Sequence, residues 1–172
     1  MAEGAAAEGK GSPRVAFRGR LDALCAAILE AQVLGEREGS PGFVGDLEEA
    51  LLIARSILPA EYKGTPMGEI RALGLGREGL RDRCRRPEKH FGLGHLLMDR
   101  SMGPLCARLN SLRALAREVE LSAVAAFRDP ASPSGSLRPD VLEALNGLSD
   151  LFYVLTYKHL PEGYSPRGGA GI

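Results

Sequence analysis

Asn110, Arg113, Arg117 and Glu120 recur at steps of three and four within the stretch RLNSLRALAREVE at 108–120. That spacing puts all four on one helical face. An apolar line runs beside it through Leu105, Leu109, Leu112, Ala116, Val119 and Ala123. Two arginines one turn apart repel when exposed, so the pair makes better sense facing an anion or a carboxylate. The guanidinium fork suits phosphate oxygens in particular. A solvated charged face is the other reading of the same pattern. A second line of this kind, Asn146, Asp150, Tyr153 and Tyr157, lies in ALNGLSDLFYVLTY. It runs beside the apolar Leu145, Leu148, Phe152 and Leu155. A buried asparagine in such a helix must find hydrogen-bond partners, and a network between helices satisfies it as well as a ligand does.

Other chemistry-bearing residues fall in weaker patterns. The segment GAAAEGKG nearly matches a phosphate loop, but Gly11 stands where the motif needs a Ser or Thr, and no apolar strand precedes it. A flexible arm is the better reading. Cys84, His90 and His95 are spaced too loosely for a metal site. The three cysteines, Cys25, Cys84 and Cys106, are an odd number without paired spacing, which predicts reduced thiols in a cytoplasmic setting.

The elements that must position these residues are helical. Ser12 and Pro13 make a cap and a first-turn proline. Phe17, Leu21, Leu24, Ile28, Ala31 and Val33 then follow at near-helical spacing until Gly35. After the loop GEREGSPG, a second helix is expected over about 43–58, with Leu47, Leu51, Ile57 and Leu58 as apolar points and Pro59 as its stop. Glycine is frequent over 62–100, which also holds Pro66 and Pro87, so one or two short helices joined by loops are expected there. A long helix over about 101–127 is broken by RDPASPSGS, and a last one spans about 137–160. Nothing alternates like a strand and nothing repeats. The expected fold is all-α, a bundle of four or five helices over 12–161, with a disordered arm at 1–11 and a flexible tail at 162–172.

At 172 residues the chain can bury a core without disulfides. Its 22 basic and 22 acidic residues balance, which argues against nucleic-acid or membrane-surface binding through bulk charge. No run is apolar enough for a signal peptide or a bilayer span.

Four blocks, in order, carry a resemblance: SPRVAFRGRLDAL (12–24), YKGTPMGEIRALGLGREGLR (62–81), LNSLRALAREVELSAVAAF (109–127) and LRPDVLEALNGLSDLFYVL (137–155). Together they resemble the ATP:cob(I)alamin adenosyltransferases of the ethanolamine-utilization type and their relatives of the propanediol-utilization type. The resemblance implies a helical bundle with its active site between neighbouring subunits. It also implies transfer of the 5′-deoxyadenosyl group of ATP to the reduced cobalt of a corrinoid, with release of triphosphate. Cobalt is then the nucleophile, and the protein's work is to place the 5′ carbon, hold the phosphates with Mg²⁺ and make the corrinoid reducible.

On this resemblance Arg113, Arg117 and Glu120 fall on an Arg-x-x-x-Arg-x-x-Glu pattern whose second arginine and glutamate belong to the ATP site, with Glu120 as the Mg²⁺ candidate. Asn146 and Asp150 fall on a block of the form LNRLSD, beside the nucleotide. Arg117, Glu120, Asn146 and Asp150 are the candidate catalytic residues. Arg113, Arg117, Asn146, Arg18, Phe91 and His95 are the candidates for holding ATP or the corrinoid. Phe91 and His95 lie near the place of a hydrophobic residue that displaces the corrinoid's lower ligand, although His95 also fits a plain loop histidine. Asp22 and Arg113 match a pair that joins adjacent subunits, implying a homo-oligomer, most simply a trimer. A corrinoid reductase and an acceptor enzyme are the implied partners, and a bacterial microcompartment within the cytoplasm is an implied setting.

Three departures qualify the resemblance. The Thr/Gly/Asp-rich phosphate loop of the propanediol type has no counterpart in MAEGAAAEGKGSPR. The His/Cys metal-binding segment of the ethanolamine type is absent from the sequence. Gly147 stands where the relatives carry a nucleotide-contacting arginine, which implies either relaxed catalysis or space for a phosphate, a water or another arginine such as Arg108 or Arg18. A corrinoid- or nucleotide-binding relative with weakened catalysis, and a helical scaffold, are the alternatives to an active transferase.

Overall fold

The computed structural model describes residues 11–166. The phosphate-loop look-alike and nearly all of the expected arm lie outside the described residues, as does the expected tail beyond 166. Helix α1 spans Pro13–Arg37. Ser12 caps it, its hydroxyl accepting from the Val15 amide at 3.2 Å. The expected stop at Gly35 is not one. Gly35 is buried where α1 meets the next helix, and a β-carbon there would sit 2.7 Å from the Phe43 ring. Close approach, not chain termination, requires this glycine. Val33, expected in the core, is 45% exposed, because the buried line steps from Ala31 to Gly35.

Helix α2 spans Pro41–Lys63 and runs through Pro59. The expected stop there fails for a tertiary reason. Pro59 lies on the exposed face, while the residues after it are held from elsewhere. Arg138 donates to the Ala60 carbonyl at 3.1 Å, and Arg18 grips Glu61 through two hydrogen bonds of 2.9 and 3.0 Å. These contacts offset the roughly 3 kcal/mol that an interior proline costs. Gly64, with φ of +66°, then ends the helix. Leu58, expected as an apolar core point, is 41% exposed.

A two-residue antiparallel ladder follows, β1 (Arg71–Ala72) with β2 (Leu75–Gly76). It is too short for alternation to reveal. Its turn holds Leu73 and Gly74 at positive φ, and the Leu73 amide donates to Glu49 Oε2 at 2.6 Å. Helices α3 (Arg77–Arg85) and α4 (Pro87–Phe91) come next. The expected start at Ser101 falls in a short 3-10 turn, Arg100–Met102, after which α5 spans Gly103–Ala126. Helix α6 spans Pro139–Lys158.

Helices α1, α2, α5 and α6 form the bundle. The expected lines are buried at Leu109, Leu112, Ala116, Val119 and Ala123 on α5, and at Leu145, Leu148, Phe152 and Leu155 on α6. The α3–α4 segment lies along α6 in parallel register. Arg77 meets Glu143 at 2.8 Å, the Cys84 thiol donates to the Asp150 carbonyl at 3.4 Å, and Phe91 stacks on Tyr157 with centroids 4.5 Å apart. Each pair has the same sequence separation, 66 positions. The covered face of α6 is the one carrying its polar line. No helix among the described residues is long and apolar enough to cross a membrane.

Candidate active site

Helix α5 delivers its four polar residues to one face, but they divide. Arg113 turns back along its own helix, its Nε and Nη2 donating to Asn110 Oδ1 at 3.1 and 3.0 Å. Arg117, one turn on, is exposed and closes no ion pair among the described residues. Glu120, half-buried, has the Asn146 side chain of α6 as a polar neighbour that favours its charged form. The half-buried asparagine thus has a polar neighbour across a helix interface.

The electrostatics of this meeting are unusual. Burial pushes the Glu120 carboxyl above its ordinary range, and the neighbouring Asp150 adds to that, while Arg117 and Asn146 oppose it. Burial likewise raises Asp150, opposed by the adjacent Cys84 thiol and by the charges of Arg81, Arg85 and Arg77 on α3. Two half-buried carboxylates thus share one place, with arginines on either side. The Cys84 thiol is pushed up chiefly by burial and then by Asp150, so it stands protonated, an inert donor at neutral pH.

The structure therefore brings Arg117, Glu120, Asn146 and Asp150 together. Phe91 and His95 sit farther along the α6 line. His95 Nδ1 lies 3.2 Å from the Tyr153 hydroxyl, which lies 3.0 Å from that of Tyr157. Tyr157 donates to the Gly94 carbonyl at 2.9 Å, and its own hydroxyl is held protonated by burial. This pair fastens the 92–99 loop to α6. Arg18 lies elsewhere, on α1, taken up by Glu61 of α2. Asp22 is exposed on α1, and Arg113 makes its bonds with Asn110. His90 pairs with Asp82 at 2.7 Å.

Ile70, and no arginine, stands beside Gly147, with Cδ1 3.6 Å and Cγ2 3.8 Å from where a β-carbon would lie. Arg108 instead pairs with Glu30. Gly147→Ala places a methyl at ordinary contact distance and improves helix propensity by about 1 kcal/mol, so thermal melts should show a rise of roughly 2–4 °C. Gly147→Arg must displace Ile70 and should destabilise by about 1–3 kcal/mol. A loss of stability in the alanine variant would contradict this packing.

The α3 arginines were not singled out from sequence. Their signal was available in REGLRDRCR, where Arg77, Arg81 and Arg85 recur every four residues. What they face was not.

Asp150→Asn tests the electrostatics. A carboxyl raised by folding opposes stability when ionised, and that cost vanishes as pH falls through the carboxylate range near 4. The asparagine variant should therefore melt higher than the native protein at pH 7.5, with the gain shrinking toward pH 4. A lower melting temperature at neutral pH would show that the arginines outweigh burial.

A family model described as cobalamin adenosyltransferase matches residues 3–159. The corrinoid adenosyltransferase EutT of Escherichia coli is 33% identical over 146 residues, which are 85% of this chain and 52% of that protein. EutT of Salmonella typhimurium is 31% identical over the same extent. The chain spans about half the length of these curated relatives. No solved structure matches it.

Proposed function

Because the chain belongs to the cobalamin adenosyltransferase family, we propose that it transfers the 5′-deoxyadenosyl group of ATP to the reduced cobalt of a corrinoid substrate. A cobalt–carbon bond forms, the bond from the 5′ carbon to oxygen breaks, and triphosphate leaves with the electron pair. Such a reaction asks the protein for no nucleophile of its own, only for position and charge.

One observation carries the reading. Glu120 of α5 lies near Asn146 of α6, with Arg117 and Asp150 as neighbours, at the positions that the motif resemblance puts beside the nucleotide. Arg117, exposed and without an ion pair among the described residues, offers its fork to phosphate oxygens. Asn146 favours the charged form of Glu120. Glu120 and Asp150 fit Mg²⁺ of a nucleotide complex, which takes one or two carboxylates together with substrate phosphates and keeps several waters. When bound, the ion neutralises phosphate charge. Phe91, His95 and the very exposed Leu97 beside them mark the corrinoid side of the line. Arg18 and Arg113 are left to structural and subunit roles in this reading. A trimer, with Asp22 meeting Arg113 of a neighbouring copy, completes the site, and light scattering reporting an active monomer would remove that part. A cytoplasmic place in a microcompartment, with a corrinoid reductase and an acceptor enzyme as partners, belongs to the same proposal.

The test is anaerobic mixing of the protein with chemically reduced cobalamin, ATP and Mg²⁺. The cob(I)alamin spectrum should give way to that of a light-sensitive alkylcobalamin. ATP binding without this change would support a binding relative that has lost catalysis. Binding of neither substrate would remove the site altogether.

A further inference from the structure

Four of the nine residues of α3 are arginine. Leu80, buried, and Cys84, half-buried, seat the helix, while Arg77, Arg81 and Arg85 form a stripe at steps of four. Three of the arginines in and just after α3 have local partners. Arg77 holds Glu143 at 2.8 Å, Arg83 donates to the Gly79 carbonyl at 3.3 Å, and Arg86 closes on Asp82. Arg81 and Arg85 are exposed and close neither an ion pair nor a hydrogen bond among the described residues. Like charges one turn apart on a short helix repel, and with one carboxylate, Asp150, acting on both, the pair still favours a further anion.

The parallel register of α3 on α6 fixes which way the stripe looks. With Arg77 on Glu143 and Cys84 on the Asp150 backbone, Arg81 and Arg85 stand level with Gly147 and Leu151 and act electrostatically on Asp150. Asp150 acts in turn on Glu120, whose other neighbours are Arg117 and Asn146. The carboxylates and the amide are half-buried, whereas Arg81, Arg85 and Arg117 are exposed. The two carboxylates thus have the exposed arginines of α3 and Arg117 of α5 as their charged neighbours.

We propose that Arg81 and Arg85 form a polyphosphate subsite, opposite Arg117, which receives the terminal phosphates of a nucleoside triphosphate seated over Glu120 and Asn146. The proposal rests on the reading of this place as an ATP site. Arg77 is a positioning residue, held by Glu143 so that the helix keeps its register. Asp150, a carboxylate disfavoured as an anion by burial, neutralises only part of the charge facing it. The planar forks of two arginines offer up to four parallel donors to phosphate oxygens, which a lysine pair would not. Free triphosphate, which keeps all three phosphates, should then bind by itself and compete with ATP.

Calorimetry of inorganic triphosphate binding to the full chain tests this. The native protein should bind it, and the Arg81→Gln/Arg85→Gln double variant should bind it roughly 10- to 100-fold more weakly. The double variant should keep its melting temperature, because both side chains are exposed. Arg37→Gln/Arg55→Gln, equal in charge loss on other helices, should bind as the native protein does. Equal binding by the Arg81/Arg85 variant overturns the proposal, as does an equal loss in the Arg37/Arg55 variant or no binding by the native protein. The two readings fail separately. Adenosyl transfer by the double variant with an unchanged KM for ATP removes the subsite and leaves the transferase. Loss of triphosphate binding in a protein that makes no adenosylcobalamin leaves the subsite and removes the transferase.

Discussion

Arg117→Ala is expected to lower adenosyl transfer at limiting ATP by roughly 10- to 150-fold, the effect of losing one charged hydrogen bond to phosphate of about 1.5–3 kcal/mol. The fold should not notice. Arg117 is exposed and closes no ion pair among the described residues, so its removal should leave the melting temperature within the small scatter of surface substitutions. A second effect follows from its neighbour. Arg117 holds the Glu120 carboxyl down against burial, so without it that carboxyl rises further. The acidic limb of the pH–rate profile should move to higher pH, because more of Glu120 is protonated at any given pH. Arg117→Lys should recover part of the rate, since it keeps the charge but not the fork. Full turnover of the alanine variant at limiting ATP, with an unmoved profile, would take Arg117 out of the site.

Arg18→Ala should do the opposite, lowering stability by about 3 kcal/mol and the melting temperature by roughly 10 °C. Glu61 has a side chain only 2% exposed, and Arg18 meets it with two hydrogen bonds. Removing the arginine leaves a carboxylate buried without its fork, and the nearby charge of Arg138 is why the low end of the about 3–5 kcal/mol range is expected. Replacing both partners, Arg18→Leu with Glu61→Leu, should restore most of the loss, because neither charge is then left unpaired. Denaturant unfolding of the three variants would measure this. An unchanged midpoint for Arg18→Ala, together with weaker ATP binding, would return Arg18 to the ligand role that the resemblance suggested.

The four long helices and their buried faces were legible in the sequence, because helical periodicity is a local signal repeated over five or more turns. The same periodicity showed that Arg117 and Glu120 share a face on one helix, and Asn146 and Asp150 on another. The motif resemblance, not the spacing, joined the two faces into one site. Signals that depend on a neighbour were misread or missed. Pro59 reads as a stop until Arg138 and Arg18 are seen to hold the turn after it. Gly35 reads as a helix end until Phe43 is seen against it, and Gly147 as a vacancy until Ile70 is seen beside it. That Arg18 grips Glu61, 43 residues away, is likewise seen only in the fold. Composition told that the α3 segment was basic, but only its register on α6 decided that Arg81 and Arg85 face Asp150. The physical reason is the same in each case. A side chain's type and local spacing set what it can do, whereas its partner is chosen by packing between segments distant in the chain, which no local pattern encodes.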